Sequence, residues 1–372
     1  MRNWYTREAK KVLSFGKDRV DHLTERFCLA TAYTEIVIST HMSGRRFIVS
    51  LWLGALLFVT HLVSAQQNYG MIQGRLAEGF KEVQTIGRIG LQKVSNGGIN
   101  LIIPASVNGS KSTWWVVDTG ATICVIDPPF AAKLGLQTNG QVHGEGKSFP
   151  VTTVNDFQIG NVHCDGTRCV VQSIGQLKSL GLRNESGSFE KTGLIGVNLL
   201  AKYGALINCR TAMVFVSPTG NLGLSRQKYE AMGFTYVPMN LTPRNQLEVT
   251  GTLAGKEFSF FLDTGAFSTT LTNGIRDEVK VPLYATRDKV VGEFHDFGRH
   301  SEISFGAPSD FKLGAYDASG ARINFTTLNI QEEVGSSHRF AGFIGLDFLY
   351  LRSAIIDIGG RALYLKPYST PK

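Results

Sequence analysis

The sequence predicts an all-β chain of two similar lobes, made by tandem duplication, with a few short helices. Three observations predict it. Four elements recur in the same order in both halves of the chain. The runs between them are short or alternate apolar with polar residues, and they are bounded by Gly, Asn and Asp, as strands and turns are. The 372 residues also include 41 Gly, against roughly 26 at an average usage of about 7%, which is a turn-rich composition.

The first repeated element is Trp114-Trp115-Val116-Val117-Asp118-Thr119-Gly120-Ala121, which returns as Phe260-Phe261-Leu262-Asp263-Thr264-Gly265-Ala266. Each copy follows a hairpin-like turn ending in Lys111 or Lys256. Phe157-Gln158-Ile159-Gly160 corresponds to Phe311-Lys312-Leu313-Gly314, and Gly193-Leu194-Ile195-Gly196-Val197-Asn198 to Gly342-Phe343-Ile344-Gly345-Leu346-Asp347. The last pair of strands is Ala205 to Cys209 and Ala354 to Ile358. Trp114 and Trp115 read as strand residues packing both faces. Helix is expected only after Asn198 and Asp347, whose side chains suit a helix start, and over Asp127 to Leu134. The join between halves falls near Gly220 to Arg226, giving lobes over 98–225 and 226–372.

The amino-terminal region reads as targeting rather than fold. Arg45 and Arg46 precede an apolar run from Phe47 to Val63, and Val63-Ser64-Ala65 offers a signal-peptidase site. Residues 42–65 are therefore expected to be a signal peptide, and 1–41 an upstream extension from a mis-assigned start. The chain is expected to be secreted or periplasmic. The alternative is a membrane anchor over 47–63, since a largely apolar run of seventeen residues lies at the lower edge of a spanning length. Residues 66–97 read as an N-terminal segment, either a short pro-segment or a tether.

Residues 1–65 hold 9 of the 38 Lys and Arg and 5 of the 30 Asp and Glu, so without them the formal charge falls from +8 to +4. No basic run interleaved with aromatics remains, which argues against nucleic acid as a partner. Export permits disulfides. Cys164 and Cys169 flank the turn-like Asp165-Gly166-Thr167-Arg168, so a bridge across a hairpin is a possible pairing. Cys124 and Cys209 lie on core strands, where a buried thiol is the commoner outcome. No C-x-x-C pair or H-E-x-x-H helix is present, so neither metal nor cofactor is expected.

The chemistry sits in the two Asp-Thr-Gly turns. In each, a buried apolar strand ends at a carboxylate, and Gly120 or Gly265 permits a tight turn and close approach. Two carboxylates brought together cannot both ionise cheaply, so Asp118 and Asp263 would share a proton, one as base and one as acid. Such a pair activates a water against an amide without metal or covalent intermediate.

These motifs resemble the pepsin and retropepsin class of aspartic peptidases, and the resemblance covers most of residues 98–370. The chain is most similar to a two-lobed, retropepsin-like, bacterial-type aspartyl protease. The resemblance implies an acid-protease fold, peptide or protein substrates, and catalysis by Asp118 and Asp263. It also implies that Ile195-Gly196 and Ile344-Gly345 pass beneath the Asp-Thr-Gly turns, and that Thr119 and Thr264 exchange hydrogen bonds between lobes. One chain then carries both half-sites, so a monomer is expected. No match to the pepsin flap tyrosine is found; the flap candidates are Val142 to Gly146 and residues 291–299. His143 and Glu145 read as solvated loop residues. Ala121 and Ala266 stand where pepsin-like enzymes often carry a hydroxyl, which predicts a raised dyad and a pH profile above the strongly acid range. A catalytically silent peptide-binding or envelope protein on the same fold is the alternative function.

Overall fold

A computed structural model describes residues 70–78, 83–85, 92–94, 99–144, 147–174, 183–184, 187–188, 191–220, 222, 225–283, 290–294, 299–328 and 338–368. The extension over 1–41, the leader over 42–65 and, of the flap candidates, Glu145, Gly146 and residues 295–298 lie outside them. Among the described residues no helix is long and apolar enough to cross a membrane.

The architecture is mostly β, with short helices. Each half of the chain builds one large sheet. The first, eight-stranded, contains the strands from Arg75–Glu78 to Lys191–Ile195; the second is formed by strands between Asn240–Leu241 and Phe340–Gly345. The two sheets are assembled alike. In the first, Lys191–Ile195 lies parallel to Thr113–Val117 and antiparallel to Cys124–Ile126. In the second, Phe340–Gly345 lies parallel to Lys256–Asp263 and antiparallel to Thr270–Thr272.

A third sheet of six strands draws on both halves, with Leu206–Asn208 of the first paired antiparallel to Ile355–Asp357 of the second through Ile207 and Ile356. Its outer strands are Gly70–Gln73 and Thr235–Pro238. The segment 66–97 thus contributes an edge strand here and a second strand, Arg75–Glu78, to the eight-stranded sheet.

Local chemistry explains these elements. Alternation places Leu101, Ile103, Trp115 and Val117 in the main core and leaves Ile102 and Val116 in a separate small cluster on the opposite face. Trp115 is fully buried, edge-on to Phe157 at 4.7 Å, while Trp114 is half-buried beneath the Arg75 guanidinium. The hairpins leading to the two Asp-Thr-Gly strands turn at Asn108-Gly109 and Ala254-Gly255, all four with positive φ.

The helices at Pro128–Lys133, Val197–Lys202 and Leu346–Leu351 fall where the sequence places them. Their caps differ from expectation. Gly196 and Gly345 are the N-cap residues, and Asn198 and Asp347 sit inside the first turn, reaching back to the sheet. Two further helices, Arg226–Ala231 and Asn273–Val279, were not expected. The former buries no residue and the latter only Ile275, so neither writes a helical stripe into the sequence.

The possible Cys164–Cys169 bridge is not formed. Both cysteines lie on one continuous strand, Val162–Val171, whose hairpin turn is at Gly160-Asn161 rather than at Gly166. Five residues along a strand separate Cα atoms by about 16 Å, beyond disulfide reach. Cys124, Cys164, Cys169 and Cys209 are all buried free thiols. Burial pushes Cys164 and Cys209 up to about 12. Cys169 is raised by its hydrogen bond with Cys124, its neighbour in the parallel register, and then by burial. Alkylation without reductant should therefore label Cys124, Cys164, Cys169 and Cys209 in denaturant and none of these four in the native protein, as read by mass spectrometry of the peptides that carry them. A mass two hydrogens short would contradict this arrangement.

Candidate active site

Both Asp-Thr-Gly turns meet at one place. The strand Thr113–Val117 delivers Asp118, whose N–H bonds the Ile195 carbonyl at 3.0 Å, and Lys256–Asp263 delivers Asp263. Each carboxylate is held by the turn that follows it. Asp118 Oδ1 accepts the N–H groups of Gly120 (2.9 Å) and Ala121 (3.1 Å), and Asp263 Oδ1 those of Gly265 (2.8 Å) and Ala266 (2.9 Å).

The glycines are required for closeness rather than for an unusual φ. Neither Gly120 nor Gly265 is left-handed, but a Cβ on Gly120 would run into the Asp263 carboxylate, and one on Gly265 into that of Asp118. Each turn glycine thus lies against the carboxylate of the other half, and Asp118 and Asp263 interact directly.

The threonines lock the seam. Thr119 Oγ1 donates to the Leu262 carbonyl (2.8 Å) and accepts the Thr264 N–H (2.9 Å). Reciprocally, Thr264 Oγ1 donates to the Val117 carbonyl (2.7 Å) and accepts the Thr119 N–H (3.1 Å). Both side chains are buried, so water does not compete for these bonds.

Beneath each turn runs the apolar-apolar-Gly element. Ile195 and Ile344 are fully buried core residues. Gly196 and Gly345 pass so close to the Ile123 and Ser268 backbones that a Cβ would clash. Val197 and Leu346 bond the carbonyls of Ala121 and Ala266 at 2.8 and 2.9 Å.

Sequence reasoning missed the four side chains that tie these elements together. In the second half, Gly345 N–H donates to Thr269 Oγ1 (3.0 Å), and Thr269 donates through its hydroxyl (2.9 Å) and N–H (2.8 Å) to Asp347 Oδ1. In the first half, Gly196 N–H donates to Cys124 Sγ (3.3 Å), and Cys124 N–H to Asn198 Oδ1 (2.8 Å). Cys124 and Thr269 each stand six residues after the motif aspartate, a signal that aligning the two halves would have shown.

The electrostatics follow from enclosure. Burial raises Asp118 above the ordinary carboxylate range, against the pull of the Ala121 and Gly120 N–H groups. Burial, then the neighbouring Asp118 charge, pushes Asp263 up to about 8. The pair therefore holds one proton over a wide range, formally on Asp263. Asp347 is raised as well, by burial, with the Phe348 and Thr269 donors opposing.

Both flap candidates lie on edge hairpins. Thr138–Gly144 with Lys147–Ile159 forms one, and Val290–Phe294 with Arg299–Gly306 the other. His143 is exposed and bonds Ser148.

Residues 103–199 match the family model for aspartyl protease. That stretch contains Asp118-Thr119-Gly120 and its supporting Ile195-Gly196 element. No curated protein matches the chain significantly. Among solved structures, basic 7S globulin from soybean is similar at 9% identity, over 80% of this chain and 95% of that one, with a TM-score of 0.39.

Two stability predictions follow from these contacts. Asp347→Asn should leave stability at neutral pH unchanged or higher, because Asn198 fills the matching role and a neutral amide escapes the burial that raises Asp347. Asp347→Ala should cost about 1–3 kcal/mol by orphaning the Thr269 donors; denaturant melts of both variants check it.

For Asp263, a folded pKa of about 8 above the ordinary 3.8 means that the folded state binds the extra proton. Its contribution is fully present below the unfolded value and is lost as pH rises through the folded one. Asp263→Asn should therefore raise Tm at pH 7 by roughly 2–4 °C and have little effect at pH 4. An unchanged or lower Tm at pH 7 would contradict the raised carboxyl.

Proposed function

We propose that the chain is an aspartic endopeptidase of the two-lobed pepsin and retropepsin class, hydrolysing peptide bonds through a water held between Asp118 and Asp263. The observation that carries this reading is the pair of carboxylates in mutual contact, fixed by reciprocal threonine bonds and raised so that they share a proton. The family match of the first half supports it.

In this mechanism Asp118, ionised, takes a proton from the water as its oxygen attacks the peptide carbonyl carbon. Asp263, protonated, donates a hydrogen bond to the carbonyl oxygen as negative charge develops there. Collapse of the tetrahedral species expels the amine, which receives the proton held by the dyad. Rigid backbone donors at Gly120, Ala121, Gly265 and Ala266 keep each inner oxygen in place, so the dyad needs no reorganisation during the reaction.

One chain supplies both carboxylates, so the enzyme works as a monomer, with activity per molecule unchanged on dilution.

Digestion of a peptide library read by mass spectrometry tests the proposal. Asp118→Asn and Asp263→Asn should each lower kcat/KM by at least about 10³-fold, and the double variant should be little worse, because the two groups act as one unit. The pH profile should be bell-shaped, with its basic limb near the value of about 8 at which Asp263 gives up the shared proton. Appreciable cleavage by either single variant, or a profile confined below pH 4, would exclude this mechanism.

A further inference from the structure

Asn100 is fully buried, and neither its Oδ1 nor its Nδ2 has a hydrogen-bond partner. Native proteins rarely leave a buried carboxamide wholly unmatched, so its position calls for an explanation. The strand Ile99–Val107 pairs antiparallel with Thr113–Val117, Ile102 facing Val116 and Ile103 facing Trp115. Continued by two residues, that register sets Asn100 directly across from Asp118. Opposite residues in an antiparallel pair project to the same face. Asp118 turns its N–H toward Ile195, away from this strand. The Asn100 and Asp118 step is thus of the non-hydrogen-bonded kind, which brings Cα atoms to about 4.5 Å.

This face is not the lobe's core. Leu101 and Ile103 join the main apolar cluster, whereas Ile102 and Val116 pack separately with Trp114 and Leu194. Asn100 therefore belongs to the face of the sheet that carries Asp118. The second half repeats the placement: Glu248 faces Phe261, and two residues on, the register sets Gln246 across from Asp263. There the carboxamide oxygen is occupied, accepting the Thr242 hydroxyl at 3.2 Å. Only the first-half amide keeps both a donor and an acceptor open.

We propose that Asn100 is a peptide-binding residue of this site, its carboxamide pairing with one backbone amide of the substrate beside the bond that is cut. A peptide group offers one N–H and one C=O, which can pair with the open oxygen and one of the two open N–H groups of the Asn100 carboxamide. Such a contact is independent of the substrate's side chains and fixes the depth at which the chain lies over the dyad. The inference rests on the peptidase reading above.

The experiment compares the parent, Asn100→Leu and Asn100→Ala on a cleaved peptide and on versions N-methylated at single backbone positions around the cleaved bond. Removal of the amide should raise KM about tenfold with kcat little changed, the pattern of a contact made equally in ground and transition states. Because an unmatched buried polar group is being replaced by an apolar one, Asn100→Leu should melt no lower than the parent. In the parent, N-methylation at one position should raise KM by about the same factor; in both variants that extra loss should vanish. An unchanged KM in Asn100→Leu, or a methylation penalty equal in parent and variants, overturns the inference. So does a parent whose KM is indifferent to every single N-methylation, which needs no folded variant. If the parent cleaves no peptide at all, the peptidase reading fails and this one with it; cleavage that ignores residue 100 removes this one alone.

Discussion

Thr119 and Thr264 exchange hydrogen bonds across the seam where the two motifs meet, and the rest of the site depends on that exchange. Each hydroxyl donates to a carbonyl of the other half and accepts an N–H from it, which uses its one donor and one of its two acceptor sites. With both side chains buried, the four bonds hold the turns in one arrangement. Asp118 and Asp263 are thereby kept at a separation that like charges would otherwise increase. Confinement makes sharing one proton the inexpensive state, and the raised carboxyls are its consequence. A looser seam would allow the two groups to part and ionise independently.

The halves reach the same geometry with different atoms. In one, a hydroxyl and a carboxylate hold the loop beneath the turn; in the other, a thiol and a carboxamide do so. The thiol is the weaker acceptor, and its bond from Gly196 is correspondingly long. The carboxylate gathers three donors, from Thr269 and Phe348, which oppose the penalty of its burial. Duplication fixed the backbone path, and each copy then satisfied its buried polar groups separately. That division also accounts for two of the free cysteines: Cys124 serves as an acceptor under the turn, and Cys169 stands beside it in the sheet.

The six-stranded sheet complements the threonine seam from a distance. It joins the halves through backbone bonds and places Ile207 opposite Ile356, so the halves are tied at two places rather than one. Two ties constrain relative rotation far better than a single pivot, and rotation is the motion that would misplace the dyad. Of the five buried side-chain polar atoms left unmatched among the described residues, two belong to Asn100 and the others to Asn273, Thr326 and Arg352. A folded protein tolerates such a cost where binding can recover it.

Much of the fold was legible because it is written in repeated, local signals. Two Asp-Thr-Gly turns in matched apolar contexts, the Ile195-Gly196 and Ile344-Gly345 elements, and the strands around Ile207 and Ile356 all follow from residues close together in the chain. The helix starts at Gly196 and Gly345 were misread because Asn198 and Asp347 suit a cap by composition, yet bond across to neighbouring strands. Gly166 was misread because a positive-φ glycine kinks a strand as readily as it turns one. Cys169 faces Cys124 rather than Cys164, since pairing partners are set by parallel register over long separations, which leaves no local mark. The sequence alone determined that two Asp-Thr-Gly turns occur in matched apolar contexts. Only the tertiary structure decided that the two Asp-Thr-Gly turns meet, that their glycines serve closeness rather than φ, and that Asn100 is buried without a partner, because contact and burial are properties of segments far apart in the chain.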